Sequence, residues 1–259
     1  MRILLVGDVI GKPGRRAMAA LLPKLRVERN IDLVIANGEN AAGGIGLTPS
    51  TADEFFNSGV DLITSGNHIW HHKEIIPRLD EDQRILRPLN LPPGGPGRGY
   101  LITDRVMVIN LLGRVFMGHY DCPFRTMDNL FEEVTDRPNV IIVDMHAEAT
   151  AEKVALGWYL DGRVSAVVGT HTHVGTVDVR VLPRGTAYVS DIGMVGAADS
   201  VIGDDVDSVL DRFLTMMPHR LAVGKGNSIF NSVLVEVEDD SGKALSIDRV
   251  DLEFSVNES

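Results

Sequence analysis

Eight side chains that could bind a divalent metal or carry a proton fall where five apolar runs give way to glycine or polar sequence. Asp8 follows Arg2 to Gly7 (RILLVG), and Glu39 and Asn40 sit in Asn37-Gly38-Glu39-Asn40, just past DLVIA. Asn67 and His68 follow DLITS in Gly66-Asn67-His68, and His146 closes Asp144-Met145-His146 after NVIIVD. His171 and His173 lie in Gly169-Thr170-His171-Thr172-His173, past VSAVV. Any one of these pieces reads as a turn or loop. All five in series point to a metal centre, because carboxylate, amide and imidazole donors without thiolate suit iron, manganese or zinc. His171 and His173 are two residues apart, so an extended segment would turn both rings to one side.

The elements that must position these residues follow from hydrophobic periodicity. The five apolar runs are short enough for buried strands, and open α/β sheets bind ligands beyond the carboxyl ends of their strands. Between them, Arg15 to Arg29 carries Leu21, Leu22 and Leu25 at helical spacing, and Thr48-Pro49 opens a second helix that ends near Ser58-Gly59. Further helices are expected over 124–134 and 151–160, a strand over 106–112, and a loop through the Pro- and Gly-rich stretch 87–99. From Asp178 the pattern changes to hairpins: 179–182 with 187–190 around Pro183-Arg184-Gly185, and 232–237 with 243–250 around Asp239 to Gly242. The C-terminal part is therefore expected to be antiparallel, with a helical excursion over 205–217. The fold class is α/β, with mixed sheets flanked by helices in a single domain over 1–259.

Composition narrows the partners. With 44% hydrophobic and 24% charged residues, the chain has the balance of a globular protein. No apolar run is long enough for a membrane span and no export signal precedes the first strand, so the expected location is cytoplasmic. Net charge is -11 and no basic tract is present, so long nucleic acid is not an expected partner. A single cysteine, Cys122, allows neither an internal disulfide nor a thiolate metal site. A homo-oligomer is left open.

In order and type, these motifs resemble the calcineurin-like metallophosphoesterases, and more narrowly their bacterial YmdB-like branch. Gly7-Asp8-Val9-Ile10-Gly11-Lys12-Pro13-Gly14 and Asn37-Gly38-Glu39-Asn40-Ala41-Ala42-Gly43-Gly44 carry the narrower likeness, which spans about Met1 to Gly196. The chain departs from the broad superfamily where Ile10 replaces a metal-binding His and Glu39 replaces a bridging Asp; both departures agree with the branch. The resemblance implies a metallophosphoesterase sandwich holding two metal ions, iron or manganese foremost and zinc third. One ion would have Asp8, Asn40 and His173, the other Asn67, His146 and His171, with Glu39 between them. His68 would be the proton donor to the leaving group. Two divalent ions, two carboxylates and a bridging hydroxide leave one net positive charge to meet a phosphodiester monoanion. The implied function is a phosphodiesterase acting on small phosphodiesters, cyclic nucleotides among them. A phosphomonoesterase or nuclease on the same metals, and a non-catalytic nucleotide-sensing regulator, are the alternatives.

Outside these motifs, His71 and His72 are expected at the solvated surface and Trp70 in core or rim packing. Asp191 is expected in a turn or helix cap. His119, Arg114 and Lys225 are weaker candidates for the pocket or for phosphate contact.

Overall fold

A computed structural model of the chain describes residues 1–256. The strands are β1 (Arg2–Val9), β2 (Leu33–Asn37), β3 (Leu62–Thr64), β4 (Tyr100–Ile102), β5 (Val106–Leu112), β6 (Val140–His146), β7 (Ala166–Thr170), β8 (Arg180–Val181), β9 (Ala187–Val189), β10 (Met194–Ala197), β11 (Ser228–Phe230), β12 (Ser232–Val237), β13 (Ala244–Arg249) and β14 (Leu252–Phe254). The helices are α1 (Gly11–Glu28), α2 (Pro49–Asn57), α3 (Ile75–Glu81), α4 (Pro123–Glu133), α5 (Thr150–Leu160) and α6 (Val206–Thr215).

The strands form an eight-stranded sheet built on β1, β2, β3 and β10 to β14, and a six-stranded sheet in the order β4-β5-β6-β7-β9-β8. Both are mixed. β1 runs parallel to β2 and β10 but antiparallel to β12, whereas β5, β6, β7 and β9 each run parallel to the next. The alternation along β1 shows how the layers stack. Ile3 and Leu5 pack with Val108, Ile142, Val168 and Val233 between the two sheets. Leu4 and Val6 face the other way and pack with Met18 and Leu22 of α1 and Phe55 of α2. On the far side, Ile109, Val143 and Tyr188 meet Met127 and Leu130 of α4 and Leu156 of α5. The order of layers is helix, sheet, sheet, helix. A strand buried on both faces is apolar at nearly every position, which is why β1 and β6 read as continuous apolar runs.

Helix α2 begins as its sequence demands: Thr48 accepts from the Thr51 backbone N–H, and Thr51 Oγ1 accepts from the Thr48 N–H. The excursion over 205–217 contains α6, with Asp205 accepting from the Ser208 N–H. Both expected hairpins form, as β8–β9 and β12–β13.

Two expectations are corrected. Helix α1 starts at Gly11 rather than Arg15, because Pro13 falls in the first turn, where an amide N–H has no intrahelical partner in any case. The C-terminal part is not uniformly antiparallel: β9 pairs parallel with β7, and β10 pairs parallel with β1. Between β9 and β10 the chain crosses from one sheet to the other. Strands β4, β10, β11 and β14 are three or four residues long and carry too little periodicity to be read from sequence. Among the described residues no helix is long and apolar enough to cross a membrane.

Candidate metal centre

The carboxyl ends of β1, β2 and β3 in one sheet meet those of β6 and β7 in the other, and the eight residues singled out by sequence gather there. His146 Nε2 lies 3.1 Å from Glu39 Oε1 and 3.0 Å from His171 Nδ1. The ligand atoms of Glu39, His146 and His171 all lie within 4.8 Å of one another. Asp8 Oδ1 is 3.8 Å from His146 Nδ1 and 3.8 Å from His173 Nε2, and the Asn40 amide is 3.0 Å from His173 Nε2. Asp8, Glu39 and His146 are at most 1% exposed. Gly66 lets β3 come this close, since a Cβ there would overlap Glu39 Oε2 and the His146 ring.

The hydrogen bonds around the cluster leave donor atoms facing inward. Thr64 Oγ1 and the Asn37 amide donate to Asp144 Oδ2 at 2.5 and 3.2 Å, and Thr170 Oγ1 donates to Asp144 Oδ1 at 2.7 Å. With its hydrogen committed to Asp144, Thr170 Oγ1 accepts from His146 Nδ1 at 2.9 Å. One His146 proton is thereby placed on Nδ1, so Nε2, facing Glu39 and His171, is the nitrogen left to take either a metal or a second proton. His173 Nδ1 donates to the Ile202 carbonyl at 2.7 Å, which likewise frees its Nε2. Asp8 Oδ1 and Asn67 Oδ1 are buried with no hydrogen-bond partner. Carboxylate, amide and imidazole acceptors gathered in a buried space can be satisfied by a cation set between them. The donor set therefore fits a metal.

Ionisation in the metal-free protein says the same. Burial raises the Asp8 pKa to about 6 despite His173 and His146. Burial would raise Glu39 too, but the neighbouring His146 outweighs it and leaves the Glu39 carboxyl below its ordinary range. Burial would lower His146, yet Glu39, Asp8 and Asp144 together hold it up at about 9. Burial and the facing His146 drive His171 down to about 3. One proton held on His146 among two carboxylates thus occupies the place of a positive ion.

The His-x-His segment differs from its sequence reading. It is not extended: His171 has φ 98° and His173 φ 65°, conformations that cost a side-chain-bearing residue about 1–3 kcal/mol each. A buried clamp holds this turn by its middle residue. Thr172 donates to Asp191 Oδ2 through its backbone N–H at 3.1 Å and its hydroxyl at 2.7 Å. The same oxygen accepts from Lys153 Nζ at 2.7 Å, while Oδ1 accepts from the Gly193 N–H at 2.8 Å. Lys153 and Asp191 are both almost fully buried. Asp191, on the crossover between the sheets, forms the expected turn through Oδ1 and the Gly193 N–H, and through Oδ2 it is also a buried anchor, which the sequence reading did not include. Asp8 Oδ2 accepts from the His171 N–H at 3.0 Å and fixes the other side of the turn.

Glu39, Asn40, His171 and His173 of the cluster line a cavity of about 710 Å³, together with His68, Glu148, Asp204, Arg212 and Arg220. His68 is half-buried, its Nε2 3.1 Å from the Asn67 amide and its backbone N–H 3.3 Å from Glu39 Oε2. Burial lowers its pKa, against the pull of Glu39. Asp204, Arg212 and Arg220 escape sequence reasoning, because they arrive from the excursion and carry no motif. Asp144 escapes it as an anchor, although a carboxylate inside the apolar run VIIVDMH was the signal available.

The weaker candidates are placed elsewhere. His119 and Arg114 line a separate surface cavity. Trp70 packs at the edge of the core and donates to the Pro96 carbonyl. His72 is not a free surface residue: it is half-buried and its Nε2 lies 2.9 Å from the Ile45 carbonyl. Lys225 lines a neighbouring cavity and not the metal-centre cavity.

Comparison with known proteins agrees with this architecture. The YmdB-like protein family matches residues 4–250. A Bacillus subtilis protein named 2′,3′-cyclic-nucleotide 2′-phosphodiesterase is 46% identical over 254 residues, covering 96% of each chain. A crystal structure of a hypothetical protein from Thermus thermophilus superimposes with a TM-score of 0.93 at 44% identity, covering 98% of this chain and 100% of the other. A crystal structure described as a novel phosphatase from Mycoplasma pneumoniae superimposes with a TM-score of 0.93 at 32% identity, covering 98% and 94%. The match runs through every strand that feeds the cluster, and by it the chain belongs to the YmdB-like family.

Proposed function

We propose that the protein is a dinuclear metal-dependent phosphodiesterase that hydrolyses small phosphodiesters, nucleoside 2′,3′-cyclic phosphates foremost. The observation that carries this reading is a cavity lined by Glu39, Asn40, His171, His173 and His68, against which Asp8 and His146 are fully buried in contact with those ligand atoms. The substrate class follows the name of the B. subtilis relative. Asp8, Asn40 and His173 would hold one ion, Asn67, His146 and His171 the other, and Glu39 both. The contacts between Asn40, His173 and Asp8, and between His146, His171 and Glu39, support that division. When bound, the metals, iron or manganese before zinc, would supply a hydrolytic nucleophile at neutral pH and neutralise charge on the phosphoryl oxygens.

The remaining roles belong to this chain's side chains. Hydrolysis of a cyclic diester adds the oxygen of water to phosphorus and breaks one P–O bond to ribose. The freed ribose oxygen takes a proton, and His68 is the donor best placed for it. The Asp144–Thr170–His146 chain keeps the His146 lone pair aimed inward. Metal-loaded protein should hydrolyse bis-p-nitrophenyl phosphate faster than p-nitrophenyl phosphate, and should open a nucleoside 2′,3′-cyclic phosphate. Faster turnover of the monoester would reject the diesterase reading; no turnover of either would favour a nucleotide-sensing regulator.

The clamp on the His-x-His turn makes a separate prediction. Thr172→Val keeps the shape but removes one hydrogen bond to the Asp191 carboxylate. Its loss should weaken metal binding by about 10-fold, the lower end for residues that orient ligands, with the fold kept because Lys153 still neutralises Asp191. Thr172→Ser should bind metal as the unmodified chain does. Calorimetric titration checks both, and equal affinity of the Val and Ser variants would show that the clamp does not act on the ligands.

A further inference from the structure

The two stretches Gly7 to Gly14 and Asn37 to Gly44 are only half explained by the metal centre. Asp8, Glu39 and Asn40 lie in it, but Lys12, Pro13 and Gly43 line a second cavity, of about 500 Å³. Gly43 belongs to the walls of both cavities. A Cβ at Gly43 would meet nothing within 4 Å, so the wall that the two cavities share has open space beside it. One residue on, Val223 of the second cavity packs close, and a Cβ on Gly44 or on Gly11 would press against it at 2.9 Å.

The lining of this second cavity runs against the overall charge of the chain. The chain has 36 acidic and 25 basic residues, yet Lys12, Arg16 and Lys225 line the cavity with no carboxylate among its described lining residues. The rest of the wall is small or apolar, including Pro13, Val223 and three glycines. Lys12 and Lys225 project from separate segments, the start of α1 and the Gly224-Lys225-Gly226 loop, and both are exposed. A cationic, otherwise apolar space that shares a wall at Gly43 with the proposed phosphodiester site suits an anionic group continuous with the substrate.

We propose that the second cavity receives the phosphate next to the terminal nucleotide, so that the preferred substrate is a short oligoribonucleotide ending in a 2′,3′-cyclic phosphate. This rests on the proposed function. A 2′,3′-cyclic phosphate occupies the 3′ end of a ribose, which leaves the 5′ oxygen free to carry further chain. With the cyclic phosphate over the metal cluster, that chain leaves past Gly43, and its first phosphate meets Lys12 and Lys225. The net charge of -11 opposes a long polyanion but acts little at this one cationic opening. The reaction is unchanged; only the length of the nucleotide chain attached to the reacting end differs.

Binding tests this independently of turnover. The probes are a 5′-labelled triribonucleotide 3′-phosphate and a nucleoside 3′-monophosphate, competed on metal-loaded protein and read by fluorescence anisotropy. The trinucleotide should bind at least about tenfold more tightly, with a log–log salt slope steeper by about 0.7 for each extra phosphate held. Lys12→Ala/Lys225→Ala should abolish both the advantage and the extra slope, while mononucleotide affinity stays the same. Equal affinity of the two probes in the unmodified chain would overturn the proposal, as would equal weakening of both by the double variant. Binding of the trinucleotide to protein already saturated with mononucleotide would also overturn it, by revealing a separate anion seat. Failure to hydrolyse nucleoside cyclic phosphates would count against the proposed function instead.

Discussion

Glu39→Gln should release at least one of the two metals and lower activity by at least about 10²-fold, the size of losing one preorganised electrostatic contact in an active site. The side chain is 1% exposed and reaches both His146 Nε2 and the His68 backbone N–H. Gln has nearly the same shape, so the cavity is retained while the shared negative charge is lost. Two adjacent cations then repel with less compensation. In addition, the Gln amide would direct N–H groups into a space lined by acceptors. Elemental analysis should find fewer than two metals per chain, with circular dichroism unchanged. Two metals still bound would sink the bridging assignment.

His68→Ala should separate proton transfer from metal binding. Its ring contacts the Asn67 amide, but the proposed ligand set is complete without it. Both metals should therefore remain. Activity on a nucleoside cyclic phosphate should fall about 10²–10⁴-fold, the range for a positioned acid or base. The loss should depend on the leaving group, because a nitrophenolate departs without a proton and a ribose alkoxide does not. On bis-p-nitrophenyl phosphate the variant should be far less impaired. Equal impairment on both substrates, with metals intact and chemistry rate-limiting, would assign His68 to orientation or charge stabilisation.

Which residues meet was legible in the sequence because each motif lies where a buried strand must end. The runs before Asp8, Asn37, Asn67, His146 and His171 are apolar since their strands are covered on both faces, and only at the carboxyl end does a polar side chain find open space. The main helices and the two hairpins were legible for the same local reason, periodicity and turn residues. The sequence by itself also determined which donor types the proposed centre can offer, oxygen and nitrogen without sulfur.

Only the tertiary structure decided how the ligands are held. Cooperation between two sheets is a long-range fact, so nothing local to Asp191, Lys153 or Thr172 announces that they anchor one turn from three segments. The parallel pairing of β9 with β7 and of β10 with β1 is equally invisible, because these strands of three and four residues take their direction from a crossover and not from their own pattern. His171 and His173 show the limit most clearly: spacing of two predicts a shared face in extended chain, but buried contacts to Asp8 and Asp191 outweigh about 1–3 kcal/mol of local strain at each and hold the backbone at positive φ. Local preference sets what a segment would do alone; here the charged hydrogen bonds of a buried site are the larger energy.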